Sequence, residues 1–494
     1  MNVLLITLDQ FRADCLSIAG HPLVKTPNLD ALAAQGVRFA RHYSQAAPCS
    51  PGRACLYTGM YQMNNRVVAN GTPLDARFDN VALAARRHGY RPALFGYTDQ
   101  SVDPREVSGP DDVRLQRYDG LLPGFDPVLQ IPDHHEPWLQ WLLELGYENL
   151  STGYAELALE PTRPVEYSVS SFVTNHALGW IGRQTEPWFA HLSYLRPHPP
   201  FAAAGHFSTM YDPAQVALPI APAADRHPFH DMVLKMRASA APTDETKMRA
   251  IQAQYYGMVS EVDAQVGRVC KALQEHGMWD DTVIVVTADH GEQLGDHGLI
   301  QKLGYFEASY HVLNIVRDPR QPQTHGTVVQ EFTENVDLFP TICDAIGAAT
   351  PAQCDGRSLT PFLQGDAPDG WRDAAHWEFD WRGQLISRAD APMLPWDRSL
   401  AHHNLAVVRD EAGMYVQFGD GTWLCFDLAT DPTGRTKLTD PAVVLRYAQA
   451  MLVWRAEHAE RTLTDVIIDS GGFGRMPAGV PEGVGMPKGV DVSA

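Results

Sequence analysis

The 494-residue chain has no excess of positive charge: 39 Lys and Arg stand against 59 Asp and Glu, a net charge of −20. That balance favours solubility and excludes nucleic acid as the main partner, because a phosphate backbone is held by clustered basic residues. An anionic substrate must instead be attracted locally, by a metal ion or a few Lys, Arg and His, against a repulsive overall field. Cysteine is sparse. The seven cysteines (Cys15, Cys49, Cys55, Cys270, Cys343, Cys354 and Cys425) are odd in number and scattered, which excludes a disulfide framework and fits a reducing compartment. Long hydrophobic runs are also missing. Residues 1–9 carry no basic segment and no small-residue cleavage site, and their apolar run is only a strand long. The expectation is a cytoplasmic protein with no membrane partner.

What is present is ordinary for a globular protein, with 45% hydrophobic and 20% charged residues. The length suffices for one large core and a smaller second one. Residues 3–8 read as a buried central strand ending at Asp9. Further strands are expected at 37–43, 91–97, 187–195 and 282–287, with helices at 26–35, 81–88 and 246–276. This alternation implies a mostly parallel sheet covered on both faces. Two stretches lack periodicity: 103–165, rich in Pro, Asp and Trp, reads as an insertion over the site, and 213–242 as a surface excursion. From about residue 375 the pattern changes to a hairpin, with strands at 414–418 and 423–428 around Gly419-Asp420-Gly421. A last helix follows at 442–462, with Pro441 at its start. The expected organisation is a catalytic α/β domain over 1–374, a C-terminal sheet-and-helix subdomain over 375–465, and an extended tail over 466–494. No internal repeat is found.

In an open parallel sheet, ligands bind beyond the carboxyl ends of the strands. Asp9 stands at one such end and Asp289-His290 at another. With the Gln10 amide they would form an oxygen-rich pocket with one nitrogen, suited to a divalent ion. Each residue alone would pass for a cap or turn residue. Cys49 precedes Pro51 at the start of an expected helix, whose free N–H groups would favour an anion. As alternatives, Cys49 is a buried small hydrophobe or a thiolate ligand. No second cysteine lies at zinc-like spacing, and Cys55 reads as core.

Cys49-Ser50-Pro51-Gly52-Arg53, followed by Thr58-Gly59, resembles the motif at which type I sulfatases and their phosphorus-cleaving relatives oxidise cysteine to formylglycine. Asp9-Gln10, Asp289-His290, the segment Gly291 to Leu299 followed by Lys302, and Arg196-Pro197-His198-Pro199-Pro200-Phe201 resemble the phosphonate monoester hydrolase/phosphodiesterase branch of the alkaline phosphatase superfamily. The resemblance implies an α/β sandwich with a mostly parallel central sheet and a small antiparallel C-terminal subdomain. It implies metal ligands Asp9, modified Cys49, Asp289 and His290. Lys302 would contact the transferring anion, Arg53 would add charge or hold the oxidised side chain, and His198 would protonate the leaving group. Gln10, Asn70, Tyr97 and Thr98 would bind substrate oxygens. The metal would be Mn2+ or Ca2+, with Zn2+ or Mg2+ as alternatives.

A hydrated formylglycine carries two hydroxyls on one carbon. One attacks phosphorus or sulfur, and the other lets the resulting ester break down by carbon–oxygen cleavage. Typical sulfatases place Lys-x-His where Tyr97-Thr98-Asp99 stands here, and the loss of both cations argues against a specialised sulfatase. Asp99 also departs from the hydroxyl residue expected in the phosphonate-cleaving branch. The expected activity is hydrolysis of phosphonate monoesters and phosphodiesters, with sulfate esters as side substrates. The alternatives are an aryl or alkyl sulfatase, a non-catalytic anion-binding relative, and a cysteine-thiolate enzyme for which His42 is the nearest histidine in sequence. Partners implied are a small anionic ester, a formylglycine-generating enzyme during maturation, and further copies of the chain, as in the homotetramers common in this family.

Overall fold

Strand β1 (Asn2–Leu8) is buried along its whole length. Its side chains alternate between two cores, with Leu4, Ile6 and Leu8 in one and Val3 and Leu5 in the other. That is the pattern of a strand covered on both faces. Each fully buried Leu, Ile or Val contributes about 1.5–3 kcal/mol of transfer free energy, so β1 anchors both layers. The structure, a computed structural model, describes residues 1–382, 402–460, 464, 466–469 and 472–475.

Around β1 lie β2 (Val37–Tyr43), β3 (Ala93–Gly96), β4 (Asp126–Gln130), β5 (Phe189–Tyr194), β6 (Thr282–Thr287), β7 (Asn314–Arg317) and β8 (Thr327–Glu334). Their order in the sheet is β4-β3-β5-β1-β6-β7-β2-β8. Every neighbouring pair is parallel except those of β7, which runs antiparallel to both β6 and β2. One face is covered by the helices Val169–Ile181 and Glu245–Glu275, the other by Cys49–Thr58, Val81–Arg87 and Leu338–Ile346. Asp244 caps the longest helix by accepting from the Lys247 N–H.

Two stretches expected to be irregular are built into the fold. Within 103–165, β4 joins the sheet as its edge strand beside β3, and Trp138 and Leu142 of the helix Glu136–Glu144 are fully buried. An edge strand of five residues that includes Pro127 and an exposed Val128 carries too little periodicity to be read from sequence. Within 213–242, the helix Pro228–Val233 buries Phe229 and Val233 in a cluster with Tyr43, Phe332, Trp377 and Phe418.

A second sheet, β9 (Ala374–Asp380), β10 (Asn404–Asp410), β11 (Gly413–Phe418) and β12 (Trp423–Asp427), is antiparallel in the order β12-β11-β10-β9. The helix Pro441–Glu457, capped by Asp440, packs Tyr447, Met451 and Trp454 against it. Val466–Asp469 and Gly472–Arg475 pair as an antiparallel hairpin within the stretch expected to be extended tail. Residues 476–494 of that tail lie outside the described residues. Among the described residues, no helix is long and apolar enough to cross a membrane.

Strand register converges the chemistry. Thr7 lies opposite Thr287, Leu8 opposite Tyr194, and Phe95 opposite Leu192. The residues that follow these strand ends (Asp9, Tyr97, the 195–200 loop and Asp289) therefore emerge at one edge of the sheet.

Candidate active site

Asp9, Cys49, Asp289 and His290 are all buried, and one ligand atom from each lies within 4.8 Å of the others. Cys49 is the first residue of the helix Cys49–Thr58. Gly52 lets that helix reach the strand end: a Cβ there would stand 2.5 Å from the Asp289 carbonyl oxygen. Gly96 does the same at the end of β3, where φ is 112° and a Cβ would stand 2.0 Å from the Ser193 carbonyl oxygen. Cys49 Sγ lies 3.3 Å from His290 Nε2 and 4.0 Å from Asp9 Oδ1.

The carboxylates present one oxygen each to this centre and give the other to Arg53. Its guanidinium is wholly buried and donates from Nε to Asp289 Oδ2 at 2.8 Å and from Nη2 to Asp9 Oδ2 at 3.2 Å. Nη1 donates to Ser193 Oγ and the Tyr97 carbonyl. Tyr97 donates its hydroxyl to the same Asp9 Oδ2 at 2.5 Å. Asp289 Oδ1 accepts from the backbone N–H groups of Gln10 and His290. His290 Nδ1 bonds the Gly291 carbonyl, so it carries the proton and Nε2 turns an unprotonated face to the carboxylates. Burial pushes Asp289 up, with the Asp9 carboxylate beside it adding to the shift. The donor set fits a divalent cation: two carboxylates, an oriented imidazole and the Cys49 side chain, with the outer oxygens already held.

Lys302 and His198 line the cavity that opens beside Cys49. Burial lowers the Lys302 ammonium, but the neighbouring negative groups, the Asp9, Asp289 and Glu292 carboxylates among them, outweigh it and hold the group charged. The Arg196 guanidinium fixes the His198 loop by donating to the carbonyls of His198 and Pro200 at 3.0 and 2.9 Å, while ion-paired to Glu160. His198 Nδ1 bonds the Pro199 carbonyl at 2.8 Å, which leaves Nε2 for the cavity.

The sulfatase family profile matches residues 1–348. The chain belongs to the sulfatase family. A multifunctional alkaline phosphatase superfamily protein of Trinickia caryophylli is 39% identical over 501 residues, covering 94% of this chain and 96% of that protein. The crystal structure of the phosphonate monoester hydrolase of Agrobacterium radiobacter superposes with a TM-score of 0.90 at 43% identity, over 96% of this chain and 99% of that one. The phosphonate monoester hydrolase of Silicibacter pomeroyi gives 0.84 at 37% identity, with the same coverage. The sulfatase-family fold thus accounts for nearly the whole chain, and the α/β architecture with its small antiparallel sheet is the expected one.

Within this sulfatase-family site, the structure gathers Asp9, Cys49, Asp289, His290, Arg53, Asn70, Tyr97, His198 and Lys302 at one place. Two expected substrate-binding residues sit elsewhere. Thr98 spends its hydroxyl on the Gly120 carbonyl and the Leu122 N–H. Gln10 stands behind the cavity: its amide oxygen accepts from Lys302 Nζ at 2.6 Å, and its amide nitrogen donates to Glu292. Arg53 holds the carboxylates and not the Cys49 side chain. Asn70 Oδ1 accepts from the Ser50 N–H at 3.0 Å, at the start of the Cys49 helix. His42 is bonded to Thr333 and Asn335 and is no partner for Cys49. Sequence reasoning missed Glu292, whose carboxylate orients the loop through the N–H groups of Leu294 and Gln301. It also missed the Glu160–Arg196 clamp. The signal for Glu292 lay within the quoted 291–299 segment; Glu160 had none.

Removing the clamp on the carboxylates has a direct readout. Arg53→Met is expected to weaken divalent-metal affinity about 10–100-fold, as for other residues that orient ligands. Metal titration of the purified variant checks this, and an unchanged affinity would show that the carboxylates hold their geometry without it.

Proposed function

We propose that the protein hydrolyses phosphonate monoesters and phosphodiesters, with formylglycine derived from Cys49 as nucleophile and sulfate esters as slower substrates. One observation carries the reading. The position where sulfatases place Lys-x-His holds Tyr97, Thr98 and Asp99, so the cavity gains no cation there and relies on Lys302. The relatives named above, two of them phosphonate monoester hydrolases, support the same assignment.

A divalent ion held by Asp9, Asp289, His290 and the modified Cys49 would supply Lewis-acid polarisation and a lowered hydroxyl pKa. The chain's own residues do the rest. Arg53 and Tyr97 fix the outer oxygens of the carboxylates, so the ligands need little reorganisation. Lys302, charged and steadied by Gln10, faces the transferring anion. His198 donates from Nε2 to the leaving oxygen when its ring is protonated. Buried Cys49 is a poor thiolate: burial pushes its thiol up, with the Asp9 carboxylate adding to this against Lys302. That supports oxidation over direct thiolate attack, and it implies a formylglycine-generating enzyme as maturation partner.

Phosphonate, phosphodiester and sulfate esters of one nitrophenol provide the test. The expected order of kcat/KM is phosphonate and diester above sulfate. A sulfate ester that leads both would assign the chain to sulfate hydrolysis instead.

The tail supports a proposal of self-association in the cytoplasm. Phe473, Met476, Val480, Val484, Met486 and Val490 are too many apolar residues for a solvating segment. Deleting the residues after Asp469 is expected to lower the solution mass to a smaller oligomer. A wild type already monomeric would remove the idea.

A further inference from the structure

The cavity beside Lys302 and His198 extends along a wall that no step above uses. Asp99 lines it, only 7% exposed, and its carboxylate makes no hydrogen bond or ion pair among the described residues. Burial pushes this carboxyl up to about 7, and the Asp9 and Asp289 carboxylates add to the shift against Arg53. Asp133, Tyr118 and Tyr154 line the same cavity. Both tyrosine hydroxyls donate to Asp133 Oδ1, at 2.6 and 3.1 Å, which fixes that carboxylate beside two aromatic rings. Among the described residues, Lys302 is the one Lys or Arg lining the cavity, and it is bonded to Gln10.

A buried carboxylate without a partner is costly, and an arriving cation relieves that cost. Aromatic rings beside carboxylates attract alkylammonium groups in particular. The anionic half of a substrate gains nothing from such a wall. We propose that Asp99 and Asp133, with the rings of Tyr118 and Tyr154, form a subsite for an ammonium group carried by the ester. The substrate class is then a zwitterionic phosphodiester or phosphonate, with its anionic centre at Cys49 and Lys302 and its cation on this wall. The proposal rests on the phosphodiesterase reading above. It also removes a difficulty, since a chain of net charge −20 repels a simple anion but not a zwitterion.

Two diesters of nitrophenol differing in one atom make the test: nitrophenyl phosphorylcholine, and its isostere in which a tert-butyl group replaces the trimethylammonium. Wild type is expected to prefer the choline ester by about tenfold or more in kcat/KM. In Asp99→Asn and Asp133→Asn, which keep size and one accepting oxygen but remove the charge, the preference is expected to fall toward unity. The ratio is taken within each variant, so loss of folded protein cancels. Equal rates in the wild type, or a preference that survives both substitutions, would overturn the subsite and leave the diesterase reading standing. If wild type cleaves neither compound, nor the bis-nitrophenyl diester, the diesterase reading itself fails and the subsite falls with it.

Discussion

Cys49→Ala is expected to abolish turnover on every ester class, and Cys49→Ser to stop after one turnover per site. Alanine removes the nucleophile outright. Serine keeps one hydroxyl in the same place, at the head of a helix packed on Asp289 through Gly52. It lacks the second hydroxyl on the same carbon, so an ester once formed has no path to break down by carbon–oxygen cleavage. A burst assay with nitrophenyl esters reads this directly, because at most one equivalent of nitrophenolate should appear. Sustained turnover by the serine variant would mean that water attacks phosphorus or sulfur directly. Circular dichroism and thermal unfolding of both variants serve as the control for a folded protein.

His198→Ala is expected to slow hydrolysis of poor leaving groups by about 10²–10⁴-fold, the usual contribution of a placed general acid. For nitrophenolate, which leaves without a proton, the loss should be much smaller. The surroundings of the ring suit this role. Nδ1 is bonded to the Pro199 carbonyl, so only the ring's protonated form can donate from Nε2. Burial, with the Lys302 ammonium adding to it, holds His198 down to about 3, and a bound anion favours the imidazolium. The donating form is thus lost as pH rises. Rates on alkyl esters should fall with rising pH while nitrophenyl esters fall less. Kinetics of both series across pH check this, and an equal loss for all leaving groups would show that His198 binds substrate without protonating it.

Much of this site was legible because a parallel sheet turns short apolar runs into positions. Residues 3–8 and 282–287 each end one or two residues before a carboxylate, and register brings those ends together. The family motif then supplied Cys49, His198 and Lys302. What could not be read depends on packing between distant segments. Arg53 bonds Asp289 across 236 residues, and Arg196 meets Glu160 from a segment without periodicity. The same holds for Asp133, in the turn after β4, and Tyr154, in the helix Gly153–Leu157, which line the cavity from a stretch without periodicity. Thr98 and Gln10 lie off the cavity lining for the converse reason. They adjoin cavity-lining residues in sequence, but successive side chains near a strand end point opposite ways, and their polar groups are already taken, Thr98 by the Gly120 carbonyl and Gln10 by Lys302 and Glu292.

The central claim is that the working nucleophile is an aldehyde made from Cys49, and its occupancy can be titrated against rate. Preparations made with and without a co-expressed formylglycine-generating enzyme should differ in aldehyde content at Cys49. Aldehyde-selective labelling followed by mass spectrometry of the Cys49 peptide measures it, since the hydrated aldehyde and cysteine have nearly the same nominal mass. The account predicts that kcat per total enzyme rises linearly with aldehyde occupancy and passes through zero at none. Full activity in a preparation whose Cys49 is entirely thiol would contradict it.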